Sequence, residues 1–423
     1  MKIVLVQPDQ IESDLSKYNY FDLMKRKRKA KRILPLGLLY IASSLQQHSV
    51  VFVDNYFQRY SNEKLLKFCL QNIDTGKGVV GFGGTCLEWF QAACVSKMIK
   101  KVRPDITTVY GGPNATARPE KHVNYFDYVI RGVGVDSFKL LINGHKKENI
   151  SGLCWCGHIV EPCFTLDFSK NKWPTLKILE GMNLKINYSN YSLGSILSSI
   201  GCPFQCKFCA AKYIWNRSVF FRDADEVLKE VKYLKNKGLH VIHFREDNFT
   251  INKERLYYFC KELKKINIRW TCQSRIKSLD EYIIPTMKES GCREISCGFE
   301  SINDSILSYV GKGHTSEDIK YGISLFEKYG MSYTGGFIVG FPNETKQEII
   351  NTCNFIKSIR KNKLCGVPAK PSKFLGIPVS ELYNEVVNNN QIEYNWNDGE
   401  LLFIKNKEVT TNEIDKLINK MCT

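Results

Sequence analysis

Twice along this chain, short apolar runs alternate with amphipathic stretches. That alternation restricts the fold more than any other feature, because it is what a parallel sheet with crossover helices requires. In the second half the runs fall at 195–200, 240–245, 269–274, 294–299 and 332–339, with a weaker one at 366–374. Helices fit between them. The first takes Asp223 as its N-cap and stops at Gly238, and later ones stop at Gly291 and Gly330, since glycine accepts the left-handed conformation that ends a helix. Six such strand and helix units predict a partial (β/α)6 barrel, in which ligands gather at the carboxyl ends of the strands. The first half repeats the pattern in runs near 2–6, 50–53, 78–83, 106–110 and 128–130. It reads as a doubly wound, Rossmann-like α/β domain, which binds ligands near the switch in strand order.

Directly after the first run of the second block stands Gly201-Cys-Pro-Phe-Gln-Cys-Lys-Phe-Cys209. Three thiolates, Cys202, Cys206 and Cys209, hold three irons of a 4Fe-4S cube and leave the fourth open, whereas a structural zinc site takes four protein ligands. Gly201 and Pro203 supply the turns such a compact loop needs. On spacing alone, a zinc knuckle or unrelated core cysteines remain alternatives. The later strand ends are polar: Glu246-Asp247-Asn248-Phe249 closes the second, Gln273-Ser274-Arg275 the third and Gly298-Phe299-Glu300-Ser301 the fourth. Taken singly, each polar residue could equally be a cap or part of a solvated loop.

Cysteine spacing and strand ends together resemble the radical S-adenosylmethionine (SAM) superfamily. The resemblance implies that the methionyl amine and carboxylate of SAM chelate the open iron. An electron from the cluster then cleaves the sulfonium, and the 5'-deoxyadenosyl radical abstracts hydrogen from an unactivated carbon, chemistry that the cofactor carries. It further implies that Asp247, Arg275 and Glu300 meet the polar groups of SAM, carboxylates as acceptors and Arg as a fork for a carboxylate. Phe208 would flank the adenine. The stretch Gly335-Gly-Phe-Ile-Val-Gly-Phe-Pro342 resembles the fifth-strand motif, whose glycines permit close approach and whose apolar residues, Phe337 among them, face adenine. Ile200 stands where relatives often carry Arg, and Gly376-Ile377-Pro378 only approximates the usual last turn.

Leu34-Pro-Leu-Gly-Leu-Leu-Tyr-Ile-Ala-Ser43 is typical of the cobalamin-binding domains fused ahead of such cores, and the resemblance spans most of residues 1–380. It implies Leu36, Gly83, Thr85, Gly111, Gly112, Asn114 and Gly132 as cobalamin contacts. These residues belong to or flank glycine-rich loops, none of which is a Walker loop or a dinucleotide fingerprint. No D-x-H-x-x-G offers a histidine to cobalt, Asn114 stands where the family often has His, and Gly132-Val-Gly-Val135 lacks the usual glutamate. A domain that keeps only the fold is the alternative.

The expected organisation is 1–144 cobalamin-type domain, 145–191 linker, 192–375 radical SAM core and 376–423 short C-terminal region. A net charge of +17 and the run Lys25-Arg-Lys-Arg-Lys-Ala-Lys-Arg32 raise the question of nucleic acid. Without interleaved aromatic residues the run reads instead as a solvated loop, or as attraction to an acidic substrate or a reductant such as flavodoxin or ferredoxin. Cys154, Cys156 and Cys163 form a looser group, read as free thiols rather than an auxiliary cluster. His240 and His243 flank a strand without metal-ligand spacing. No stretch approaches the roughly 20 apolar residues of a membrane span, and the 16 cysteines suit a reducing, cytoplasmic setting. The leading expectation is methylation of an unactivated centre in a small metabolite or peptide. Rearrangement, ring contraction or cyclisation, a tRNA methylthiotransferase, and a cobalamin or metal sensor are the alternatives.

Overall fold

The computed structural model describes residues 1–9, 33–73, 76–162, 173–182, 184, 186–188, 191–192, 194–396 and 401–422, so the basic run at 25–32 and Cys163 lie outside the described residues. The chain divides into two compact units, Met1–Leu193 and Gly194–Thr423.

The first unit is built on one sheet. Its strands are β1 (Lys2–Gln7), β2 (Ser49–Asp54), β3 (Gly78–Gly83), β4 (Thr107–Gly111), β5 (Tyr128–Ile130), β6 (Leu153–Trp155) and β7 (His158–Ile159), in spatial order β2-β1-β3-β4-β5-β6-β7. β1 to β5 run parallel, and β6 and β7 are added antiparallel. Two apolar clusters cover the two faces. Leu38, Leu39, Phe138 and Ile142 lie in one, and Leu65, Cys69, Ala92, Val95 and Ile99 lie in the other. Burial on both sides is why every residue of β3 is buried and why its sequence runs apolar rather than alternating.

The stretch 145–191, expected as a linker, contributes β6, β7 and the helix Leu176–Gly181 to this unit. Leu179, Leu184 and Tyr191 join its core, and the Tyr191 hydroxyl donates to Asp54 Oδ2 at 2.9 Å. Apolar residues on a short irregular segment had left no periodic signal of that packing.

The second unit carries β8 (Ser195–Ile196), β9 (Ser199–Ile200), β10 (Phe220–Phe221), β11 (Val241–Phe244), β12 (Arg269–Ser274), β13 (Cys292–Glu300), β14 (Ser332–Val339), β15 (Ser372–Lys373), β16 (Ile392–Trp396) and β17 (Leu401–Ile404). Six form an all-parallel sheet in the order β15-β14-β13-β12-β11-β8, the open half-barrel read from the sequence. Asp223 caps the helix Ala224–Asn236 by accepting from the Glu226 amide, and Gly238 follows at φ +87°. Gly291 and Gly330 end their helices likewise at positive φ.

The C-terminal region is a folded piece rather than a tail. Leu382 and Val386 of the helix Glu381–Asn388 pack with Leu402, Ile404, Phe341 and Phe374, while Ile414 and Ile418 of the helix Thr411–Cys422 pack with Val339 and Ile349. Among the described residues, no helix is long and apolar enough to cross a membrane.

Candidate cluster and SAM site

The cysteine loop leaves β9 and returns in β10, and these two strands pair antiparallel, Ile200 opposite Phe220, so the loop is tied at its base. Gly201 is fixed by that closure. It sits at φ +93°, and a Cβ there would fall 2.1 Å from the Ser218 carbonyl oxygen, which excludes every other residue. Within the loop the Cys209 amide donates to the Cys206 carbonyl at 3.1 Å and the Ala211 amide to Cys209 Sγ at 3.4 Å. The Lys207 amide donates to the Val310 carbonyl at 2.9 Å, which fastens the loop to the end of the helix Asp304–Tyr309.

Cys206 is buried, and Cys202 and Cys209 are half-buried. Burial pushes the Cys209 thiol up to about 11 and raises Cys202 as well. Thiolates here therefore need a positive partner. Among the described residues no three His, Cys, Asp or Glu side chains converge as ligands of a single ion would. A cube asks for something different, one thiolate on each of three corners.

Arg275, at the end of β12, is the cation nearest to that need. Its Nη1 donates to Cys206 Sγ at 3.5 Å, its Nη2 donates to the Lys312 carbonyl, and its plane lies 3.9 Å from the Phe204 ring centroid. Asp247, after β11, keeps part of its surface exposed, yet withdrawal of its carboxyl from water raises it above the usual range. Its neighbour Glu246 is turned the other way and buried, accepting from the Ser198 amide just ahead of β9. One carboxylate thus anchors the strand that feeds the loop, while the next faces the opening.

Glu300 lies where β13 bulges. The register passes from Gly298 opposite Gly336 to Glu300 opposite Phe337, and Glu300 takes φ +66°, an uncommon conformation for a side-chain-bearing residue. Its Oε1 accepts from Lys312 Nζ at 2.8 Å. Gly298 makes room for the pair, since a Cβ there would lie 2.4 Å from Glu300 Oε1 and 2.9 Å from Lys312 Nζ.

The structure separates the aromatic expectations. Phe208 packs with Ile338 and Phe341 beside Lys312, whose Nζ is 5.8 Å from the Phe208 ring centroid. Phe337 is buried on the opposite face of β14, stacked on Phe299 at 5.2 Å and edge-on to Phe355 of the helix Lys346–Ile359. Side chains alternate across a strand, so the positions that share the Phe208 side are Gly336 and Ile338.

Three further groups escaped the sequence reading. Lys312 and His314 sit in Gly311-Lys-Gly-His314, whose glycines take φ +65° and +73°; two glycines flanking a lysine were the available signal. Burial and the Lys312 charge push His314 down to about 4, so it is neutral at pH 7. Glu344, fully buried, accepts from the Gly340 and Phe341 amides at 2.5 and 3.2 Å. Asn406 of the C-terminal region donates to the Phe341 and Glu344 carbonyls at 2.5 and 2.7 Å. Together they clamp the turn that follows β14.

In the first unit, most of the residues expected at cobalamin gather at the carboxyl ends of β3, β4 and β5. The Gly84 amide donates to the Gly111 carbonyl at 3.3 Å, and a Cβ on Gly112 would lie 2.8 Å from Gly84 O, so the loops bearing Gly83 and Gly112 meet backbone to backbone. The Gly132 amide donates to Thr116 Oγ1 at 2.9 Å. Leu36 opens the helix after β1, beside the point where strand order switches between β2 and β3. The Thr85 amide and hydroxyl both donate to Glu88 Oε2, at 2.8 and 2.5 Å, and Asn114 is buried with its amide 3.5 Å from the Tyr110 hydroxyl. Of the looser cysteine group, Cys154 is buried in the core of this unit and Cys156 is exposed.

Comparison with known proteins agrees with this geometry. Residues 196–356 match the family model of the Radical SAM superfamily. An uncharacterized methyltransferase of Pyrococcus horikoshii is 27% identical over 413 residues, covering 91% of this chain and 86% of its own length. The anaerobic magnesium-protoporphyrin IX monomethyl ester cyclase of Rubrivivax gelatinosus is 26% identical over 383 residues, covering 83% of this chain and 66% of its own. Among solved structures, the radical SAM methyltransferase TsrM of Kitasatospora setae superposes with a TM-score of 0.69 at 17% identity, over 92% of this chain and 74% of that one. The cobalamin-dependent SAM radical enzyme OxsB superposes at 0.71 and 14% identity, over 99% of this chain and 65% of that one. A half-barrel with three cysteines after its first strand and polar groups at its later strand ends fits the match of residues 196–356 to the Radical SAM superfamily model.

Proposed function

We propose that this chain is a cobalamin-dependent radical SAM methyltransferase acting on an unactivated centre of a small molecule or peptide. One observation carries the reading: a doubly wound unit with glycine-rich strand ends precedes a radical SAM half-barrel in the same chain. That combination resembles TsrM, solved with cobalamin and a [4Fe-4S] cluster bound, and OxsB, solved with aqua-cobalamin and SAM. The methyltransferase of Pyrococcus horikoshii supports the reaction type.

The residues present suit these groups. Bound, the cluster and SAM supply an electron and a carbon radical, and cobalamin supplies a methyl carrier. The chain's own part is to bind and orient. Cys202, Cys206 and Cys209 offer thiolates to iron, and the Arg275 guanidinium offsets their charge through its contact with Cys206 Sγ. Asp247 and Glu300 offer acceptors to the amine and hydroxyls of SAM, and Phe208 with Ile338 forms an apolar flank for its adenine. Gly83, Thr85, Gly111, Gly112, Gly132 and Leu36 would contact cobalamin, with Asn114 at the sequence position where the family often has His. A flavodoxin or ferredoxin supplies the electron from outside.

The cyclase of Rubrivivax gelatinosus favours a second reading, radical cyclisation without methyl transfer. Anaerobic purification with cobalamin supplied, followed by assay of iron, sulfide and corrinoid and of the products of SAM, separates the two. 5'-Deoxyadenosine together with S-adenosylhomocysteine supports methylation. Deoxyadenosine alone supports the second reading, and failure to retain corrinoid would sink the cobalamin assignment.

A further inference from the structure

The inner face of the half-barrel is polar throughout its middle. Strand register aligns Ser195, His243, Thr271, Glu294 and Ser332 in one row, Gln273, Ser296 and Thr334 in the next, and Gly298 with Gly336 above them. Arg245, two residues on from His243, lies with the second row. Residues of the other parity, Ile242, Phe244, Trp270, Cys272, Ile295, Cys297 and Tyr333, are all buried on the helix side. A closed barrel fills these rows with Val, Ile and Leu. Here a polar, half-exposed chamber runs down from the strand ends that carry Asp247 and Arg275.

Arg245 is half-buried in this chamber. Its Nε donates to Ser195 Oγ at 3.4 Å, and among the described residues no carboxylate lies within ion-pair distance of it. Glu294 faces it from β13 without bridging, and His243, which burial keeps neutral at pH 7, is held by Thr271 Oγ1 at 2.8 Å. A guanidinium withdrawn from water, with its terminal N–H groups unfilled, is matched by a planar or tetrahedral anion.

Building on the reading above, we propose that Arg245 holds an anionic group, carboxylate or phosphoryl, of a polar substrate seated in this chamber below Asp247. Glu294 limits that substrate to one anionic end, because a second negative charge would meet a like charge across the chamber.

Titration calorimetry on the anaerobically reconstituted full chain with SAM present tests this, with methylphosphonate and acetate, each carrying a single anionic group, as probes and glycerol as the neutral control. Saturable binding of either anion is expected, weakened at least tenfold by Arg245→Gln and partly restored by Arg245→Lys. Tighter methylphosphonate assigns a phosphoryl group, and tighter acetate a carboxylate. Arg269→Gln is the second variant, since Arg269 lines a separate basic cavity of about 550 Å³ with His240 and Arg293 at the amino ends of the strands. It should bind as wild type. The proposal is overturned if wild type binds neither anion, if Arg245→Gln binds as well as wild type, or if Arg269→Gln is the variant that loses binding. These outcomes do not depend on turnover, so failure of the radical reaction itself is read separately from SAM cleavage by wild type.

Discussion

Lys312 Nζ lies 2.8 Å from Glu300 Oε1, with both side chains only 9% exposed. The same residue's carbonyl receives Arg275, whose other arm reaches Cys206 Sγ. One lysine thus connects the fourth strand end to the third and, through it, to the cysteine loop.

Breaking that pair from one side strands a buried charge. Lys312→Met should destabilise the chain by ~3 kcal/mol, measured by urea unfolding under anaerobic conditions. Adding Glu300→Gln should recover part of the loss, and a double variant no more stable than the single one would contradict the pairing.

Gly201→Ala places a methyl group into the Ser218 carbonyl. The expected result is loss of iron and sulfide from the purified protein with far-UV circular dichroism unchanged, because the strain is confined to the loop. Full iron content in this variant would refute the steric argument.

Arg275→Lys keeps the charge but loses the fork that reaches sulfur, ring and carbonyl together. SAM cleavage should fall by roughly 10- to 100-fold, the usual cost of removing a residue that supports a metal ligand. The 4Fe-4S reduction potential, followed by electron paramagnetic resonance, should fall as well, since a hydrogen bond to a cluster sulfur favours the reduced form.

Much of the second unit was legible because strands and helices announce themselves by period, and because glycine stops such as Gly238 and Gly291 are local events. Phe337 and Ile338 mark the limit. The motif places both on one strand, but which of them faces the opening depends on register, and the bulge at Glu300 is not visible in β13's own sequence. Lys312 was missed for a related reason: its partner is reached across a helix and a turn, so no spacing rule joins them. The C-terminal region escaped because Asn406 acts on backbone carbonyls 65 and 62 residues earlier in the chain, a contact with no sequence signature.

Glu344 gives a pH dependence. Burial pushes its carboxyl up to about 8, so the folded chain holds this proton more tightly than the unfolded chain does. The associated stability is fully present below the ordinary carboxylate range and is lost as pH rises toward 8. Between pH 5 and 8, wild type should therefore lose stability relative to Glu344→Gln by up to ~1.4 kcal/mol per pH unit. Parallel unfolding curves for the two proteins across that window would contradict the assignment.

The polar rows inside the half-barrel also bear on how the molecule is held together. Across the middle rows only the helix-side face of that sheet is apolar, so this part of the second unit is packed from one side, and the space a closed barrel would fill with its own side chains is left to whatever enters. A guest that binds there only when the sheet is intact acts as a removable interior: its concentration shifts the unfolding equilibrium by mass action, and the enzyme is at its sturdiest when it is at work.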